Sequence, residues 1–404
     1  MEIGPILRAM TRNKLGVVLI ALQIAFTMTV IINAVFIINE RERLMARPSG
    51  TDEANLFHVT SIGFGESHNE RLTTADDLDM IRQMPGVVDA TTINAIPISG
   101  SGSSSIVQAE YDESQPGVST AVYRADDHVL NTMNLDLIAG EGFVDTDIRY
   151  RSESGRTEAQ KTIISRELAA NLFPELAVNE VVGQSLYMSG GVGIQIVGIV
   201  DRLQASWPHS SLVERSLILP EVYLDTYSLY LIRTEPGQRD RIMVEIEEAL
   251  VASNGNRVVR NLRSVEETRA DTYRIDSAMS TMLWVIIITL VFITCMGIVG
   301  LAVFGINRRR KQIGTRRALG ATRLEIIRHF MVENFLITGV GVVVGAMLTI
   351  GLSILLTTNF DMPTMAWYYT PIGMLALIVV GQLAVFGPSR SASKIEPALA
   401  TRSV

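Results

Sequence analysis

The sequence predicts a membrane protein with an α-helical transmembrane domain of four helices and a large α+β domain inserted between the first helix and the second. Three observations predict it. Residues 15–38, 282–306, 335–356 and 365–386 are apolar runs, each reaching or approaching the ~20 residues that cross a ~30 Å hydrocarbon core. The runs are unevenly spaced, one near the N-terminus and three crowded at the C-terminus. Residues 39–281 are polar and alternate short apolar stretches with helical patterns, as a folded domain does and a disordered segment does not. The whole-chain values of 48% hydrophobic residues, 19% charged residues and a net charge of −7 average these two parts and describe neither.

Taken in order, residues 1–14 place Ile3, Ile6, Leu7 and Met10 on one helical face beside Arg8, Arg12 and Lys14, a pattern suited to lying along the inner membrane surface. The first span, 15–38, exceeds the ~7–15 residues of a signal-peptide core, and the charged stretch that follows, Glu40 to Arg43, offers no cleavage pattern. A retained helix is expected. In the domain at 39–281, residues 56–62 read as a strand, 74–84 as a helix capped by Thr74 with Asp76 and Asp77 in its first turn, and 87–96 as a second strand. A second unit of the same kind is expected from 228–233, 237–253 and 257–262. These place a βαβ-based part at about 55–125 and 226–264 and an inserted part at about 126–225. Within the insertion, 161–165 and 195–200 read as strands and 166–172 as a helix, whereas the Ser- and Gly-rich 99–105 and the charged 145–158 read as loops. Residues 39–45 and 265–278 continue the first and second spans outward as two stalk helices.

The second span is 282–306, a basic segment follows at 307–329, and the third and fourth spans are 330–356 and 365–387, with a tail at 388–404. Orientation follows from basic residues in short loops, which resist translocation. Arg308, Arg309, Arg310, Lys311, Arg316, Arg317, Arg323 and Arg328 stand between spans two and three against the single acid Glu325. That loop and both termini are expected in the cytoplasm. The turn at 359–363 has no basic residue and is followed by Trp367, Tyr368 and Tyr369, an interfacial belt.

No catalytic constellation assembles. His58, His68, His128, His209 and His329 are scattered without a metal-binding spacing, and Cys295, the only cysteine, lies inside the second span, so neither a disulfide nor a thiolate zinc site is expected. No GxxxxGK[ST] loop occurs, so ATP-driven work would need a second polypeptide. The basic residues cluster beside membrane segments without a nucleic-acid-binding signature, which sets nucleic acid aside as a partner. The spans carry Gln23, Asn33 and Gln382 but no ionised residue in mid-span, which argues against a proton or ion relay. Gly341 and Gly345 form a GxxxG pair with Gly339 nearby, suited to ordinary helix packing or to a subunit seam.

The most specific segment is 308–330. Its basic residues are interleaved with Ile313, Ala318, Leu319, Ile326 and Ile327, an amphipathic helix broken at Gly320 and restarted at Thr322, shaped to dock on another protein or to lie on the membrane surface. Residues 308–323 resemble, almost position by position, the arginine-rich RRREIGIRRALGATR-like segment of the MacB/FtsX superfamily of ABC-transporter permeases. Lys311, Gln312 and Thr315 depart from that pattern. The tail at 394–400 is similar to the family's closing segment in shortened form, and 126–143 and 161–198 look like its periplasmic core domain.

The resemblance implies a four-helix domain bearing a stalked periplasmic domain in the bacterial inner membrane. It further implies that Ile313, Arg316, Arg317, Ala318, Leu319, Gly320, Ala321, Thr322 and Arg323 couple the chain to a cytoplasmic ABC ATPase dimer. ATP and Mg would then sit in that partner, with no cofactor held by this chain. Because residues 1–14 leave no room for a fused ATPase, a separate subunit is expected, together with a second permease chain, identical or sister; a periplasmic membrane-fusion adaptor and an outer-membrane channel are further candidate partners. Substrate export driven by mechanotransmission is the function the resemblance implies. An FtsX-like sensor that recruits a periplasmic protein and a Lol-like lipoprotein-releasing permease are the alternatives within the superfamily, and an anchored periplasmic enzyme is the alternative outside it.

Overall fold

The computed structural model describes residues 14–65, 69–151, 158–360 and 362–395. The helix expected at 1–13, His68 and the closing segment from 396 lie outside the described residues. The chain divides into two compact units, one of the segments up to Arg43 and from Asp276 onward, the other of Leu44–Ile275.

The first helix, α1, spans Lys14–Met45. The α/β unit follows with β1 (Leu56–Gly63), α2 (Glu70–Arg82) and β2 (Val87–Thr92). Then come β3 (Ser103–Gln108), β4 (Val118–Arg124), α3 (Val129–Met133), β5 (Leu137–Gly140) and β6 (Arg149–Arg151). These are followed by β7 (Lys161–Ser165), α4 (Arg166–Leu172), α5 (Val178–Val181), β8 (Ser185–Met188) and β9 (Val192–Val200). The unit closes with β10 (Ser216–Leu219), β11 (Glu221–Tyr223), β12 (Tyr227–Thr234), α6 (Arg239–Ser253), β13 (Arg257–Ser264) and α7 (Val265–Thr272).

Four strands form an antiparallel sheet in the order β13-β1-β12-β2. Strands β1 and β2 therefore run parallel with β12 between them, and β12 and β13 run parallel with β1 between them, the interleaved split βαβ pair of the ferredoxin-like arrangement. One face is covered by α2 and α6 through Leu78, Ile81, Ile242, Ile246 and Leu250. From the opposite face Leu56, Leu229 and Leu231 share a core with Tyr123, Ile163, Val200 and Ile218. That core ties the sheet to the rest of the unit.

Two expectations change here. Helix α2 begins at Glu70 because the Asn69 side chain accepts a hydrogen bond from the Leu72 amide at 3.0 Å, a cap one turn upstream of Thr74. Asp76 and Asp77 thus lie inside the helix, and Asp77 is buried against Arg257 rather than complementing a helix start. The inserted part also starts earlier than residue 126. Strands β3 and β4 belong to the second sheet, ordered β5-β9-β7-β10-β4-β3-β8, so the Ser103 to Ser105 stretch is strand and not loop. The insertion begins just after β2. A further pairing of β8 with β9 closes six of these strands into a ring with β5 outside it, and Ile164, Leu186, Ile194, Ile196 and Leu217 fill a core of their own.

The helix expected over 265–278 is two helices. A capping box between Ser264 and Glu267 starts α7, which stops at Tyr273, whose hydroxyl donates to the Leu44 carbonyl at 3.1 Å.

The helical unit continues with α8 (Arg274–Arg308), α9 (Arg310–Ala318), α10 (Arg323–Phe360) and α11 (Tyr369–Ala392). Among the described residues, helices α1, α8, α10 and α11 are the four long and apolar enough to cross a membrane, and α1 is the most buried of them. It touches the other three. Gln23 donates to the Ile293 carbonyl at 3.1 Å and Thr27 meets Thr294 at 2.8 Å on α8. Asn39 donates to the Tyr369 hydroxyl at 2.9 Å on α11, and Arg41 pairs with Asp276. On α10 a Cβ at Gly341 would meet the Ala21 carbonyl oxygen at 2.8 Å, and one at Gly345 would meet the Met28 Cβ at 2.9 Å.

Of the two uses open to this GxxxG pair, packing within the chain is therefore the one realised. A hydrogen bond between membrane helices contributes only about 0.6 kcal/mol, so the close glycine contact carries more of the specificity. Gly345→Val is expected to cost about 1–3 kcal/mol by overpacking, read as a lowered thermal midpoint in detergent. Gly339→Val, at a position open within 4 Å, should leave that midpoint unchanged.

Candidate functional site

The histidines do not converge. His58 is buried in β1 with Nε2 3.0 Å from the Thr268 hydroxyl. Nδ1 of His128 lies 2.8 Å from Asp89, and His209 and His329 pack edge-on against Tyr273 and Phe330. Among the described residues no group of three His, Cys, Asp or Glu is placed to hold a metal.

Burial, reinforced by Arg263, lowers the His58 pKa from 6.5 to about 4. Between those values the unfolded chain binds the proton and the folded chain does not, so stability falls as pH drops from about 6.5 to about 4 and is untouched by this group above 6.5. His58→Gln should therefore lose about 2 kcal/mol less than the parent between pH 7 and 4.5 in urea unfolding. Equal losses in the two proteins would refute this role.

The basic segment between α8 and α10 has the clearest built form. Helix α9 ends at Leu319, and Gly320 takes φ +100°, the left-handed conformation that favours glycine. The Gly320 amide donates to Arg317 O at 3.1 Å and the Ala321 amide to Arg316 O at 3.0 Å, satisfying the last carbonyls of the helix. Thr322 and Glu325 then exchange hydrogen bonds of 2.8 and 3.3 Å, a capping box that starts α10 at once. The restart expected at Thr322 is thus a tight helix–turn–helix.

Its two faces differ. Ile313 points inward with Ile306, Ile326, Phe330 and Ala392, and Ala321 and Ile395 pack against them. Arg316, Ala318, Leu319, Gly320, Thr322 and Arg323 are exposed along the turn. Leu319 is 84% exposed and Leu324 is 72% exposed, so two large apolar side chains stand bare among cations. Arg317 departs from its neighbours, since its guanidinium donates to Ser393 O at 2.8 Å and Ile395 O at 3.1 Å. At the base of the turn Arg309 pairs with Glu333 at 3.0 Å.

The nine residues expected to act together therefore separate into an exposed ridge, an inward anchor at Ile313 and Ala321, and an arginine bound to the tail. Leu324 and Glu333 escaped the sequence reading. Leu324 stands two residues after the Thr322 cap within a basic stretch, and that placement is the signal that would have found it. Arrayed this way, the segment suits protein contact: an apolar tip ringed by charge, capped at both sides of the turn, on the stretch that joins two long helices.

The family model for the MacB-like periplasmic core domain matches residues 17–257, and that for the FtsX-like permease C-terminal region matches residues 284–397. The chain is 23% identical to the uncharacterized ABC transporter permease YknZ of Bacillus subtilis, covering 73% of this chain and 72% of that one. It is 22% identical to the macrolide export ATP-binding/permease protein MacB of Escherichia coli (strain K12), covering 96% of this chain. The chain spans 58% of that relative's length. Among solved structures it resembles the periplasmic region of MacB from Actinobacillus actinomycetemcomitans, at 12% identity and a TM-score of 0.34, over 58% of this chain and 98% of that one.

Proposed function

The chain belongs to the ABC-transporter permeases that join a MacB-like periplasmic core domain to an FtsX-like permease region, and from that premise we propose that it converts ATP hydrolysis by a separate cytoplasmic ABC ATPase dimer into motion of its periplasmic α/β unit, driving export of a substrate. The observation that carries the proposal is the bare Leu319–Leu324 ridge on a rigid turn between two membrane-spanning helices. In this reading the turn, both termini and the ATPase lie on the cytoplasmic side of the inner membrane, and a second permease chain completes the membrane part.

ATP can shift the chain between two conformations only if the ATPase holds the ridge differently in its nucleotide-bound and nucleotide-free forms, because differential affinity is what moves an equilibrium. The residues assigned to that contact are Arg316, Ala318, Leu319, Gly320, Thr322, Arg323 and Leu324, with Ile313 and Ala321 holding the ridge in place. The test is purification of the full chain from its native membrane and identification of what elutes with it. An ABC ATPase whose hydrolysis rate depends on the permease supports the proposal. A co-eluting periplasmic protein without any ATPase would overturn it.

A further inference from the structure

We infer that Arg317 is a positioning residue that fastens α9 to the C-terminal end of α11, so that a push on the ridge is delivered to the fourth membrane helix as well as to α8 and α10; the inference rests on the function proposed above. Arg316 and Arg317 are adjacent and equally charged, yet Arg316 is exposed and Arg317 is turned inward. Its Nη1 donates to Ser393 O at 2.8 Å and Ile395 O at 3.1 Å. Its Nε is buried without an acceptor among the described residues. Ser393 is the residue that ends α11. Carbonyls at a helix C-terminus lack partners within the helix and carry the negative end of its dipole, so a guanidinium there makes a strong, directional bond.

The contact closes a gap that the backbone leaves open. Helix α9 is joined to α8 and α10 by short turns, and the ion pair of Arg309 with Glu333 stiffens that junction. Helix α11 has no such connection, since Arg317 and Ser393 are 76 residues apart. Among the described residues, the other contacts recorded at the α11 end are apolar, Ala392 and Ile395 clustering with Ile313 of α9 and with Ile326 and Phe330 of α10. Apolar contacts resist separation but slide, because they are non-directional. Two hydrogen bonds from one planar group fix both distance and angle.

The experiment uses the full chain with its co-purified ATPase in a Cys295→Ser background, with nitroxides attached after Met279→Cys and Trp367→Cys, near the starts of α8 and α11. Electron–electron distance measurements are made without nucleotide and with ATP plus vanadate. The expected result is a nucleotide-dependent distance change in the parent, its loss in Arg317→Met while the co-purified ATPase stays within about twofold, and an intermediate change in Arg317→Lys.

A full distance change in Arg317→Met would overturn the clamp, as would a parent distance that does not respond to nucleotide. Loss of the ATPase from Arg317→Met, as far as from a Leu319→Asp control, would make Arg317 a contact residue and overturn it too. If no ATPase accompanies the parent at all, it is the proposed function that fails.

Discussion

Leu319→Asp is expected to release the ATPase while the permease still inserts and folds. Leu319 is 84% exposed and does not belong to the inward cluster of Ile306, Ile313, Ile326 and Phe330, so the change removes no core contact and should cost the isolated chain little. Docking would bury this side chain at the centre of a charged rim. A buried apolar anchor of that kind contributes about 2–4 kcal/mol to association, and a carboxylate in its place adds the cost of burying an unpaired charge.

A loss of roughly 30- to 1,000-fold in affinity follows, seen as disappearance of the ATPase from the purified permease. Gly320→Ala should act in the same direction more weakly, because the residue at φ +100° must then be strained. Undiminished ATPase recovery with Leu319→Asp would remove the ridge from the interface.

The second large effect lies in the α/β unit. Asp77→Ala should destabilise it by about 3–5 kcal/mol, the cost of leaving a buried charge without its partner. Arg257 and Asp77 are each 2% exposed and lie 2.6 Å apart, and Asp77 also accepts from the Tyr230 hydroxyl at 2.7 Å. Removing the carboxylate strands a guanidinium between α2 and the sheet, with the Ser61 hydroxyl at 3.4 Å as its hydrogen-bond partner among the described residues. Replacing both partners by apolar residues, Asp77→Leu with Arg257→Met, should recover most of the loss, because no charge is then buried. Protease resistance and thermal unfolding report the difference. A single variant that unfolds within 1 kcal/mol of the parent would show that Arg257 finds another partner or water.

Much of the fold was legible because its signals are local. Hydropathy marks α1, α8, α10 and α11 residue by residue, and the alternation around α6 and the short helix α4 are read within a few positions. The turn at Gly320 and the restart at Thr322 were legible for the same reason, since a left-handed C-terminal glycine followed by a Thr–Glu capping box needs no neighbour outside the turn. Helix α2 shows the limit of such reading, where two plausible caps five residues apart, Asn69 and Thr74, compete and burial of Thr74 decides between them.

What the sequence by itself determined is the number and order of the membrane helices, the place of the large domain between the first two, and the basic turn broken at Gly320 and restarted at Thr322. What only the tertiary structure decided is which of these residues face one another. Asp77 finds Arg257 across 180 positions, β3 and β4 join the seven-stranded sheet instead of the ferredoxin-like one, α1 occupies the faces of Gly341 and Gly345, and Arg317 turns to the α11 end while Arg316 stays exposed. The physical reason is that a propensity or a charge is a property of one position, whereas a strand edge, a helix groove or an ion pair has two sides, and the second side is brought up only when distant parts of the chain pack.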